Sequence, residues 1–156
     1  MASTSTNKQP LLIDHVLHYV VDLNTASVSA IDVGGTNTAL LIVDSTSADG
    51  AIIEDIYSIA RSATKSTINL YLSKSFDYLR PNEAKFIGTF ESATTAGSIT
   101  RWEEMPKVLA PRPGGGSSEA QLKALYIPKG KALWAARQSD SVVNDGPLIG
   151  CQGGWY

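Results

Sequence analysis

The chain has 156 residues, 43% hydrophobic and 18% charged, with 13 basic against 15 acidic side chains and a net charge of −2. That length fits one domain with a self-sufficient core and leaves no room for two full-sized ones. Near-neutrality excludes the electrostatic footprint of a protein that binds a nucleic-acid backbone or an anionic bilayer. The charged fraction lies below the roughly 25% usual in soluble domains, while Ser and Thr make up about a fifth of the chain. Such a surface is polar without being charged, as in extended β proteins and in surfaces that a partner covers.

In chain order, the first segment is a polar N-terminal arm, Met1 to Pro10 (MASTSTNKQP). It has no basic stretch leading into an apolar one, so it does not read as a signal peptide. The apolar run Ala39 to Val43, which no other exceeds, is far shorter than the 18 or more residues of a membrane span. The expectation is a soluble protein made in the cytoplasm without export. Residues 11–156 are read as one domain. Short runs rich in Val, Ile, Leu, Tyr and Thr recur along it, broken by clusters of Gly, Asn, Asp, Ser and Pro, with no sustained helical period. Strands are expected at Asp14–Leu23, Val28–Val33, Thr38–Asp44, Ile52–Ile59, Thr67–Leu72, Lys85–Glu91, Gly97–Trp102, Lys123–Ile127, Ala132–Gln138 and Leu148–Gln152. That many strands need two layers or a barrel. The predicted class is all-β, a two-sheet, jelly-roll-like β-sandwich with little helix.

The turns carry reasons. Gly34-Gly35-Thr36-Asn37 tolerates positive φ and makes Val28 to Asp44 a hairpin. Ser47-Ala48-Asp49-Gly50 is a tight turn. In Pro128-Lys129-Gly130, proline presets φ and glycine takes the left-handed position, so Leu125-Tyr126-Ile127 and Ala132-Leu133-Trp134 are expected to pair as antiparallel neighbours. Ile68, Leu70 and Leu72 share one strand face and Asn69 and Tyr71 the other, the pattern of a half-buried strand. Phe76 to Ala84 has room for one helical turn opened by Pro81. Met105 to Ala120, with three prolines and three consecutive glycines, is a long loop of the kind that serves function or an interface.

Candidate chemistry is sparse. Ile31-Asp32-Val33-Gly34-Gly35-Thr36-Asn37-Thr38 resembles the first phosphate-binding hairpin of sugar kinases and actin-like ATPases. The chain beyond Asp44 is too short and too strand-like for the two α/β domains those enzymes need, and a plain Gly-Gly turn explains the same residues. His15 and His18, three apart on a strand, point to opposite faces and do not converge on one ion. Glu54-Asp55 and Glu103-Glu104 are adjacent pairs and on strands diverge likewise. No nucleophile context of the Gly-x-Ser-x-Gly type occurs, and Gly114-Gly115-Gly116 lacks the Lys-Ser or Lys-Thr of a phosphate loop. Cys151, the single cysteine, has no partner for an internal disulfide and no cationic neighbour to activate it; a buried, inert thiol is expected. Trp102, Trp134, Trp155, Tyr126 and Tyr156 suit packing in a core or interface, with a carbohydrate platform as the alternative. No cofactor, metal or enzymatic activity is expected.

From about Ile52 onward the chain resembles small virion structural proteins of tailed bacteriophages. The residues that carry this are Thr67-Ile68-Asn69-Leu70-Tyr71-Leu72-Ser73, Phe86-Ile87-Gly88-Thr89, the run Leu125-Tyr126-Ile127-Pro128-Lys129-Gly130-Lys131-Ala132-Leu133-Trp134, and the ending Gln152-Gly153-Gly154-Trp155-Tyr156. Trp155 stands where the group places an acidic residue, a departure from its pattern. The resemblance implies a non-enzymatic β-sandwich or jelly roll used in many symmetric copies within the virion after synthesis in the host cytoplasm. Its expected partners are the major capsid protein and itself, as a trimer before a dimer, in a capsid cement or decoration role or else as a neck or tail subunit. The contact residues expected are Ser3, Thr4, Ser5, Thr6, Asn7, Lys8, Gln9 and Pro10 of the arm, Lys107, Pro111, Arg112 and Pro113 of the long loop, and the terminal Trp155 and Tyr156.

Overall fold

The computed structural model describes residues 15–23, 39–74, 83–105, 124–138 and 146–155. Within them the chain is all-β. The strands are β1 (His15–Asp22), β2 (Leu40–Asp44), β3 (Gly50–Ile59), β4 (Thr67–Lys74), β5 (Lys85–Glu91), β6 (Ile99–Arg101), β7 (Leu125–Pro128), β8 (Lys131–Gln138) and β9 (Leu148–Trp155). Each falls on a segment read as a strand from sequence. The expected strand at Val28–Val33, the Gly34-Gly35 turn, most of the Phe76–Ala84 segment and the N-terminal arm lie outside the described residues.

The strands form two antiparallel sheets. One runs β1-β9-β3-β6, with β7 paired to the other half of β3's free side; the second runs β2-β8-β4-β5. Ile53, Ile56, Ile127, Ile149 and Cys151 of the first sheet pack in one buried cluster with Val43, Ile68, Leu70 and Leu133 of the second. This shared interior makes the fold a β-sandwich, each fully buried aliphatic side chain contributing about 1.5–3 kcal/mol. Met105, read as the first residue of the long loop, belongs to this core; the rest of that loop, to Ala120, lies outside the described residues, as do residues 121–123. Ile53 and Ile56 are three apart yet both face inward. A bulge between Ile53 and Asp55 in the pairing of β3 with β9 supplies the extra residue that makes this geometry work.

Two expectations are corrected. Leu125–Ile127 and Ala132–Trp134 do not pair with each other: β7 joins β3 and β8 joins β2 and β4. The turn itself forms, with Gly130 at φ 75, but it carries the chain from one sheet to the other. Ser45 holds this crossing. Its amide donates to the Lys131 carbonyl at 3.1 Å and its carbonyl accepts from Gly130 N–H at 3.3 Å. Its hydroxyl lies 2.7 Å from the carbonyl oxygens of Pro128 and Lys131 and donates to one at a time. The second correction concerns β4, which is not half-buried. Asn69, Tyr71 and Ser73, on the face away from the core, are as buried as Ile68 and Leu70. Tyr71 there joins Ala39, Ala132, Trp134 and Ala136 in a second apolar cluster.

Candidate interaction surface

Strand alternation assigns the outer face of the first sheet. On β1, Leu17 is buried, so Val16, His18, Val20 and Asp22 point outward. Opposite them β9 contributes Gly154, Gln152, Gly150 and Leu148. On β3 the bulge turns Asp55 and Tyr57 outward, and the register then brings Arg101 and Ile99 of β6 and Tyr126 of β7 to the same face. Six large apolar side chains are exposed in the described residues, and four of them, Val16, Val20, Ile99 and Tyr126, stand on this face.

The charges here are matched locally. Arg61 reaches Asp22 at 2.5 Å and Arg101 reaches Asp55 at 2.9 Å. Between them lies a polar pair, His18 Nε2 and the Tyr57 hydroxyl, 2.9 Å apart. The Tyr57 ring covers Gly150, where an added Cβ would sit 2.3 Å from its Cζ; glycine lets the ring lie flat on the sheet. Burial pushes the Tyr57 hydroxyl above its ordinary value, with Cys151 and the Asp55 carboxylate adding to the effect and Arg101 opposing it. The result is a face with exposed aliphatic and aromatic groups and no unmatched carboxylate at Asp22 or Asp55.

Among the described residues no three His, Cys, Asp or Glu side chains gather as a metal site. Cys151 is fully buried, and burial pushes its thiol up to about 12 against a smaller lowering by a hydrogen bond to the Tyr19 backbone. It is an inert core thiol, as its sequence setting indicated. His15 and His18 fall on opposite sides of β1. Glu103 and Glu104 occupy a turn after β6 rather than a strand.

Of the contact residues expected from sequence, Trp155 alone is described. It ends β9 opposite Ala51 and His15, half-buried and packed against the core. Ser3 to Pro10, Lys107, Pro111, Arg112, Pro113 and Tyr156 lie outside the described residues. Trp102 and Trp134 are buried, so neither presents a stacking surface to a sugar. The exposed apolar groups of β1 escaped the sequence reading although their signal was present. His15-Val16-Leu17-His18-Tyr19-Val20-Val21-Asp22 has apolar residues in both phases of the strand period, and a strand that buries one face must expose the other set. No protein-family model matches the chain, and nothing among the curated proteins or the solved structures matches it either.

Proposed function

We infer that this chain is a virion structural protein of a tailed bacteriophage, a cement or decoration subunit that binds across junctions of the major capsid protein and stiffens the head. The observation that carries the reading is the outer face of the first sheet, where Val16, Val20, Ile99 and Tyr126 are exposed beside charges already matched in pairs. Four of the six exposed large apolar side chains of the described residues share this one face, and apolar surface rimmed by polar groups is where protein contacts form. The low charged fraction supports the same reading, as do the phage-like motifs around Leu125–Trp134. A subunit of this kind acts mechanically. Many weak contacts, repeated by symmetry, add up to a strong lattice.

The test is made on particles. Hundreds of copies per head, with loss of binding or of heat tolerance on deletion of residues 1–10, are expected for a decoration protein anchored by its arm. About six to eighteen copies, a few closed rings rather than a lattice, would move it to the neck or tail. Absence from purified particles would overturn the virion reading altogether.

A further inference from the structure

The β1 edge of the first sheet has features of its own. Leu23 N–H donates to the Pro147 carbonyl at 3.1 Å, one step beyond the β1–β9 pairing. In an antiparallel ladder such contacts fall on alternate residues. Odd-numbered residues of β1 therefore address β9, and Val16, His18 and Val20 direct their N–H and C=O groups to the other side. Among the described residues nothing pairs with that side.

Natural sheets protect an edge with lysine, proline, a bulge or brevity. β1 has none of these: it is eight residues long, regular in its register with β9, and charged only at Asp22, which Arg61 holds. It also carries three of the six exposed large apolar side chains, Val16, Tyr19 and Val20.

We propose that β1 pairs antiparallel with β1 of a second copy of this chain, about a twofold axis at His18. A twofold normal to the sheet requires outer residues to meet outer residues. Centred on His18, it sets Val16 against the partner's Val20 and Leu17 against the partner's Tyr19. All three exposed apolar side chains then gain an apolar cross-strand neighbour while the outer face of the sheet stays open, and from His15 to Val21 no like charges oppose each other. His18 meets its own copy, each imidazole already engaged with a Tyr57 hydroxyl. The strand is thus complementary to itself, which favours a second copy over an unrelated strand. The two sheets become one, continuous through both copies. This proposal goes beyond the virion role and does not depend on it: a dimer is expected in the purified protein without any particle.

One strand pair buries less than the roughly 1,200 Å² of a standard interface, so the equilibrium is read across concentration by sedimentation. The full chain is expected to dimerise reversibly as the concentration rises toward about 1 mM, the weak end of the affinity scale, in keeping with a small interface. Val16→Lys is expected to weaken the dimer about tenfold by replacing two apolar cross-strand pairs. The register has its own test, because Cys151 is buried and leaves an introduced thiol as the sole reactive one. Residues paired on the axis have Cα atoms about 5.5 Å apart, within disulfide range, so His18→Cys is expected to form a covalent dimer on mild oxidation. Val16→Cys is not, since the two copies of residue 16 lie about 14 Å apart along the strands. A wild-type chain monomeric throughout the series would overturn the proposal; an intramolecular strand from residues 28–33 on this edge would give that result. Equal linking of both cysteine variants would overturn the register. Either failure leaves the particle experiment unaffected, and a particle-free dimer stands if that experiment fails.

Discussion

At the scale of single residues, Cys151 couples stability to alkaline pH. Its ordinary value is 9.0 and burial raises it to about 12 in the folded chain. Below pH 9 both states keep the proton and the thiol has no effect on the balance. From about 9 to about 12 the unfolded state has released it and the folded state has not, so stability falls, by up to about 1.4 kcal/mol per pH unit. Denaturant midpoints measured from pH 7 to 11 are expected to decline for the wild type and to decline less for Cys151→Ala. That variant starts about 1 kcal/mol lower at neutral pH because of the small cavity. A residual slope above pH 10 is expected from Tyr57, whose hydroxyl is also raised by burial. The glycines give a ranking. At Gly153 an added Cβ meets the Ile52 carbonyl oxygen at 1.9 Å, at Gly88 the buried Trp102 ring at 2.5 Å, and at Gly97 open space with φ +83. Backbone cannot yield, a core ring yields at about 1–3 kcal/mol, and a left-handed alanine costs about 1–2 kcal/mol. Denaturation of the three alanine variants is expected to place Gly153→Ala as the most destabilised and Gly97→Ala as the least.

At the scale of elements, β4 and β1 are opposites. β4 is central to its sheet and buried on both faces, and the outward Asn69 has neither amide atom hydrogen-bonded. A buried polar group without partners costs more than an apolar one of the same size. Asn69→Leu is expected to raise stability by about 1 kcal/mol, read as an increase in melting temperature; a decrease would mean that the amide serves the packing of this face. Among the described residues nothing pairs with the outer side of β1's ladder, and both phases of its sequence are apolar. Each strand was legible from composition and turn residues, because the period-2 signal and the Gly, Pro, Asn and Asp breaks are local. Sheet membership was not. Pro128-Lys129-Gly130 reads as a hairpin turn, and the same local conformation serves a crossing between sheets. The difference lies in Ser45, which is more than eighty residues away in sequence.

At the scale of the whole molecule, the electrostatics are weak by construction. The net charge is −2, and the ion pairs Arg61–Asp22, Lys65–Glu91, Lys74–Glu83, Arg101–Asp55 and Lys129–Asp49 all lie at the surface. Each contributes about 0–1 kcal/mol and is screened by salt. The proposed attachment to particles through the apolar face of the first sheet is therefore expected to persist when salt is raised from about 0.05 to about 1 M, conditions that shrink the Debye length several-fold. Cosedimentation with particles measures this directly, and release at high salt would place the contact on charged groups instead.

The sequence by itself determined the all-β class, the positions of the described strands, the buried thiol and the near-neutral surface. All of these depend on residue type and spacing within a few positions of the chain. Only the tertiary structure decided which strands share a sheet, that β4 is covered on both faces, that Trp155 packs against the core, and that Val16, Val20, Ile99 and Tyr126 share one outward face. Those facts come from pairings between distant segments, such as β1 with β9 and β3 with both β7 and β6. A strand's alternation says which residues share a face. It takes the neighbouring strand, and the sheet packed behind it, to say which face meets water.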